Sequence, residues 1–227
     1  MSLEHRPLRI VLVRHGESEG NVDDTIYERV PDHRIPLTSL GIEQARQTGA
    51  AIRAVLDGDS VEVYVSPYVR TRQTLAALGL SVAEHDVRVE PRLREQDWAN
   101  FQDPVDIAAQ KAERDRYGHF YYRFSTGESG SDVYDRVSTF LESMHRTFTT
   151  SAAPRNVVIV THGLTMRLFC MRWFHWSVEY FESLDNPANA QPVVLKRQAD
   201  FRYKLETPFT QWDTTVVPTD RERSSWL

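Results

Sequence analysis

Two short apolar runs in this chain end in the same dipeptide. Ile10-Val11-Leu12-Val13 runs through Arg14 into His15-Gly16, and Val157-Val158-Ile159-Val160 runs through Thr161 into His162-Gly163. Continuous branched apolar runs are the mark of strands covered on both faces, as in parallel sheets. Such a strand holds the histidine at its end in place, and the glycine that follows lets the backbone turn with no side chain in the way. Two such units, roughly 150 residues apart, predict two parallel strands that deliver two histidines to one crevice. Open α/β sheets bind ligands in crevices at the carboxyl ends of their strands.

The rest of the chain alternates in the way this requires. Residues 8–13 read as the first strand, and a charged loop broken by Pro31 and Pro36 follows. Thr38 is placed to cap a helix running to about Leu56, with Ile42, Ala45, Gly49, Ile52 and Val55 on one face. A strand over Val61–Val65 leads to Ser66-Pro67, which read as the cap and first residue of a helix ending near Gly79. Val87–Val89 reads as a short strand and Ile107–Tyr117 as a helix. A long helix from about Asp132 to Phe148 carries Val133, Val137, Phe140, Leu141, Met144 and Phe148 at helical spacing. After the second histidine come helices over 164–174 and 178–184, then two strands or a hairpin at 193–196 and 201–205. The expected fold is α/β: a three-layer α/β/α arrangement with a mainly parallel central sheet. Residues 1–227 are expected to form one domain. An irregular helical insertion at about 91–130 would lie over the carboxyl edge of the sheet. A polar tail at about 207–227 carries Phe209, Trp212 and Trp226 as candidate anchors.

Composition narrows the function classes. The chain has 227 residues, enough for one sizeable core. A net charge of −5 argues against a general nucleic-acid binder. Its single cysteine, Cys170, excludes an internal disulfide. No apolar stretch approaches the roughly 20 residues of a membrane span, and Met1–Arg9 lack the apolar core of a signal peptide. The expectation is a cytoplasmic protein without membrane or nucleic-acid partners. Cys and His spacing does not suggest a metal site, so no metal or cofactor is expected.

His15 is the first candidate for chemistry. A neutral imidazole beside an arginine, here Arg14, can attack phosphorus while the guanidinium neutralises the phosphate charge. Arg70 falls near the start of a helix that follows a strand, where the helix terminus already favours an anion; Arg72, two positions on, points elsewhere. His162 in the same crevice could bond a phosphate oxygen. Glu95 stands near Trp98, where partial desolvation would keep a carboxyl protonated and suited to general acid work. Asp97 and Glu128 are its rivals. Phe120, Tyr121, Tyr122 and Trp98 fall in the segment expected to cover the site, where they either contact a leaving group or pack the insertion.

These residues sit inside a larger pattern. Arg14-His15-Gly16-Glu17-Ser18-Glu19-Gly20-Asn21 resembles the opening signature of the histidine phosphatase superfamily, also called phosphoglycerate-mutase-like. Pro36-Leu37-Thr38 with Gly41 and Gln44-Ala45 resembles its next motif, and Ser66-Pro67 with Arg70 and Gln73-Thr74 the third. Leu93-Arg94-Glu95, Gly127-Glu128-Ser129 and Thr161-His162-Gly163 complete the order across about residues 10–165. The resemblance implies a phosphate pocket in which His15 is phosphorylated. Arg14, Arg70 and His162 would hold the phosphoryl group. Asn21 and the backbone at Gly163 and Leu164 would add donors, and Glu95 would protonate the leaving group.

Within that family the phosphatase branch is the closer match. Mutases typically carry Tyr-Gly after the acid and a Gly-Trp in the first loop. Here Glu95 is followed by Gln96-Asp97-Trp98-Ala99-Asn100-Phe101, and Tyr27 to Pro36 contain no Gly-Trp. The segments Arg92–Trp98 and Asp185-Asn186-Pro187 also resemble phosphatases of this group. The resemblance therefore implies a metal-independent phosphomonoesterase acting on a small phosphorylated substrate. The alternatives are a phosphoglycerate mutase and, from another class, a non-catalytic phospholigand-binding module.

Overall fold

The computed structural model describes residues 5–98, 103–148 and 153–219. The two apolar runs are neighbouring parallel strands. β1 (Arg9–Arg14) pairs with β4 (Asn156–Thr161) in a register that sets Arg14 opposite Thr161, so His15 and His162 leave adjacent strands at the same level. β2 (Val61–Val65) lies on the other side of β4, also parallel, and β3 (Val87–Val89) continues the sheet beside β2. β5 (Pro192–Arg197) runs antiparallel to β1, and β6 (Tyr203–Leu205) pairs antiparallel with β5. The strand order is β3-β2-β4-β1-β5-β6.

Within each run alternate side chains enter different cores, as the pleat requires. Val11, Val13, Val63, Val65, Val158 and Val160 join one apolar cluster with Ile52, Leu56 and Leu78 of α2 (Ser39–Leu56) and α3 (Val69–Leu78). Ile10, Leu12, Tyr64, Val157 and Ile159 join a second cluster with residues of α5 (Gly130–Thr147) and α6 (Gly163–Phe174). The expected α5 stripe is buried from Val133 to Phe148. On α2 the buried face is Gly41, Ala45, Gly49, Ile52 and Leu56. Val55, expected on that face, is exposed, because the buried stripe continues through Leu56 instead.

Three local expectations are corrected. The loop at 16–36 contains a short helix, α1 (Glu19–Val22), and two 3-10 turns at Asp24–Glu28 and Asp32–Arg34. The helix after β2 starts at Val69 with Tyr68 at its N-cap, so Ser66 does not cap it and Pro67 is not its first residue. The Ser66 backbone carbonyl accepts from Thr71 Oγ1, and its hydroxyl is engaged by His162. The long helix after the insertion, α5, begins earlier than expected, at Gly130, through a capping box between Ser129 and Asp132.

α4 (Pro104–Tyr117) starts from Asp103, whose side chain accepts from Val105 and Asp106 N–H groups, and α7 (Val178–Glu182) follows α6. Among the described residues no helix is long and apolar enough to cross a membrane. Trp226 and the stretch Ala99-Asn100-Phe101 lie outside the described residues.

Candidate active site

The site lies where β1, β4 and β2 end. The turn after β1 is built by close contact between backbones. A Cβ on Gly16 would stand 2.3 Å from the carbonyl oxygen of Gly41, and one on Gly41 would stand 2.0 Å from that of Glu17. Only glycine at both positions lets the turn settle on the start of α2. Side chains of the motif residues hold the rest. Thr74 Oγ1 accepts from Gly16 N–H, Gln44 Oε1 from Glu17 N–H and Gln73 Oε1 from Leu37 N–H. Much of the sequence pattern around His15 is therefore a scaffold for this turn.

His15 is 4% exposed. Its Nδ1 lies 2.7 Å from the Gly16 carbonyl oxygen, which can only accept, so Nδ1 carries the proton and Nε2 is the free base. Burial, then the charges of Arg70 and Arg14, push its pKa well below 6.5, so the imidazole is neutral at pH 7. Arg14 Nη1 donates to the Pro187 carbonyl at 2.6 Å, while its buried Nε has no partner. Arg70, 4% exposed, donates from Nη1 to both the backbone oxygen and the Oδ1 of Asp32. Arg72 is exposed.

A cleft of about 240 Å³ opens on this cluster. Arg14, His15, Asn21, Arg70 and Glu95, all expected from the sequence, line it. His162, Gly163 and Leu164 do not line it; they sit behind. The His162 ring stands edge-on to His15 with centroids 5.3 Å apart, and its Nε2 is 2.9 Å from Ser66 Oγ. Its Nδ1 is buried without a partner. Burial and the surrounding cations hold this imidazole neutral as well. Gly163 packs closely on the Asn186 side chain: a Cβ there would stand 2.8 Å from Asn186 Cγ.

Glu95 sits on a loop fastened from three directions. Arg136 of α5 donates to the carbonyls of Arg92, Arg94 and Glu95. Thr161 Oγ1 donates to Leu93 O, and Thr165 Oγ1 to Arg94 O. Burial raises the Glu95 pKa above 4.5, against the Gln96 N–H bond and the charge of Arg70, which lower it. Its rivals are otherwise engaged. Glu128 bridges Arg94 and Arg136 and accepts from the Asp97 N–H. Asp97 is exposed and does not line the cleft.

Further cleft residues were not singled out from the sequence: Ser18, Asp24, Tyr27, Asp32, Lys111 and Asn186. Asn186 stands within a segment carrying the family resemblance, while Asp32 and Lys111 leave no signal of their own. The aromatic cluster divides. Phe120 packs on Tyr134 and Phe181, and Tyr121 is exposed. Trp98 alone of the four lines the cleft, stacked on Phe124 with Arg114 over its ring. Among the described residues no group of three or more His, Cys, Asp or Glu side chains is arranged to hold a metal ion.

The chain is 46% identical to a phosphoglycerate mutase-like protein of Arabidopsis thaliana, over 90% of this chain and 70% of that protein. It is 31% identical to a broad-range acid phosphatase of Saccharomyces cerevisiae, over 91% of each. The fold is shared with a mycobacterial glucosyl-3-phosphoglycerate phosphatase at a TM-score of 0.68 and 23% identity, covering 90% of this chain and 98% of that one. Residues 10–206 match the histidine phosphatase superfamily (branch 1), and the chain belongs to that family.

Proposed function

We propose that the protein is a phosphomonoesterase that works through a phosphohistidine on His15. The observation that carries the reading is a neutral His15 whose Nε2 is the free base, beside Arg14, whose buried Nε is a donor with no partner. A buried donor without a partner costs free energy unless a ligand satisfies it, and this one belongs to a residue that lines the cleft beside the nitrogen positioned to attack. Nε2 forms the bond to phosphorus, and the ester oxygen leaves with the proton of the Glu95 carboxyl. Water then attacks the phosphohistidine, Glu95 takes its proton, the P–N bond breaks to return the pair to Nε2, and inorganic phosphate is released. Arg14 and Arg70 stabilise the charge that develops on the transferring group. The raised pKa of Glu95 and the lowered pKa of His15 favour activity on the acid side of neutrality, in keeping with an acid phosphatase among the relatives.

Rapid mixing with labelled substrate, quenched without acid, is expected to trap label on His15. His15→Ala is expected to lower turnover by several orders of magnitude. Near-normal turnover by His15→Ala would remove the covalent mechanism. Rapid conversion of 3-phosphoglycerate to 2-phosphoglycerate with a bisphosphate primer would replace the phosphatase by a mutase.

A further inference from the structure

A carboxylate stands where a phosphate-binding cleft has least use for one. Asp32 lines the cleft with Arg14, His15 and Arg70, and its side chain is 18% exposed. It comes from the 3-10 turn Asp32–Arg34, not from the helix that carries Arg70. Arg70 Nη1 is bound twice by this one residue, at 2.7 Å to the backbone oxygen and 2.8 Å to Oδ1. The guanidinium also lies over the Tyr68 ring, with its carbon 4.9 Å from the centroid. Held by one nitrogen and one face, it keeps Nε and Nη2 for a ligand, which fixes its orientation before a substrate arrives.

We propose that Asp32 is a positioning residue for Arg70 and that its charge sets how tightly the cleft holds phosphate, so that it promotes product release. This rests on the cleft being the phosphate pocket of the phosphatase. Two arginines facing one small anion in a half-enclosed cleft attract substrate phosphate and product phosphate alike, and tight uniform binding does not raise kcat. A carboxylate paired with one of them cancels part of that attraction for every phosphate equally. Its backbone and side-chain oxygens meanwhile keep the fork aimed. The acidic residue therefore trades affinity for turnover. Orientation depends on the hydrogen bonds, and affinity on the charge.

The two contributions separate by substitution. Asp32→Asn keeps an oxygen at the Oδ1 position and the backbone acceptor but removes the charge. It is expected to tighten inorganic phosphate, measured by calorimetry and as a competitive inhibitor, roughly ten-fold, the scale of one unit charge at a distance of several ångströms in a partly screened site. KM is expected to fall with it, and kcat to fall as phosphate release slows. Asp32→Glu, which keeps the charge but moves the oxygens, is expected to retain the wild-type phosphate affinity and lose kcat. A residue with a merely structural role would raise KM or leave it unchanged. Should the asparagine variant not fold, Asp32→Ser removes the same charge and repeats the test. Phosphate affinity unchanged or weakened in a folded charge-removing variant overturns the role of Asp32. Failure of the wild-type protein to bind inorganic phosphate at all would instead overturn the phosphatase reading beneath it.

Discussion

The two halves of the proposed catalytic pair are positioned by different means. His15 is held by a parallel sheet: its N–H donates to the Thr161 carbonyl at 3.0 Å, and the register of β1 on β4 puts it beside His162. Glu95 is held by no ladder. Its loop hangs from Arg136, Thr161 and Thr165, side chains that lie 41 to 71 positions along the chain from the carbonyls they bind. A sheet distributes positional control over many backbone bonds and two buried cores. A loop concentrates it in a few side chains, one of them charged. The nucleophile should therefore tolerate changes that cost stability, and the acid should be lost to single substitutions far from the cleft.

Arg136→Ala is expected to break the pair most severely. Its side chain is 10% exposed and faces Glu128, so removal leaves a largely buried carboxylate with half its ion pairing. That costs about 3–5 kcal/mol of stability, read by urea denaturation. In the protein that remains folded, hydrolysis of an alkyl phosphate is expected to fall on the order of 100-fold, and phosphoryl transfer from an aryl phosphate far less, because a good leaving group needs little protonation. An equal loss on both substrates would mean that Arg136 does not act through Glu95.

Acid pH should separate the halves next. His15 and His162 have pKa values well below 6.5 through burial, and His145, remote from the cleft among Trp173 and Phe148, is lowered to about 4. The unfolded chain takes up protons on these groups below about pH 6.5 while the folded chain does not. Their contribution is therefore complete above that pH and lost as pH falls toward the folded values, by up to about 1.4 kcal/mol per pH unit for each group. Glu95 has the opposite sign: its raised pKa favours the folded state below about pH 4.5, and that contribution is lost as pH rises through the folded value. Urea midpoints between pH 7 and 5 are expected to fall steeply in the wild type and less steeply in His15→Ala. Equal slopes would mean that His15 is not held neutral by burial.

The smallest effect is expected on the sheet side. Ile159 is fully buried within β4, the strand that leads to His162. Ile159→Val is expected to cost about 0.5–1.5 kcal/mol and to leave the alkyl-to-aryl rate ratio at its wild-type value. A change in that ratio would show that the core of the sheet, and not only the loop, sets the acid.

The parts legible in the sequence were those whose cause is local. The strands at 9–14 and 156–161 follow from continuous branched apolar runs, and the one at 61–65 from three valines at alternate positions. The Thr38 cap and the α5 stripe depend on neighbours within a turn or two. Arg70 was separated from Arg72 by helical spacing alone. α3 starts later than the Ser66-Pro67 pattern predicts because Ser66 has a tertiary engagement: its hydroxyl bonds His162, a residue 96 positions away. Lys111 and Asp32 carry no local signal for the same kind of reason, since a charged residue on a helix or turn looks solvated until another element folds over it.

What the chain determined by itself was the two strand-histidine-glycine units and the side chains able to bind a phosphoryl group. Apolar periodicity and the steric freedom of glycine are properties of a few consecutive residues. Only the tertiary structure decided that His162 stands behind His15 rather than on the cleft wall, that Glu128 clamps a loop while Glu95 faces the cleft, and that a carboxylate from the first loop meets Arg70. These placements rest on burial and on hydrogen bonds that join residues as far as 96 positions apart, and desolvation, which decides the protonation of both His15 and Glu95, exists only once the surrounding elements have closed over them.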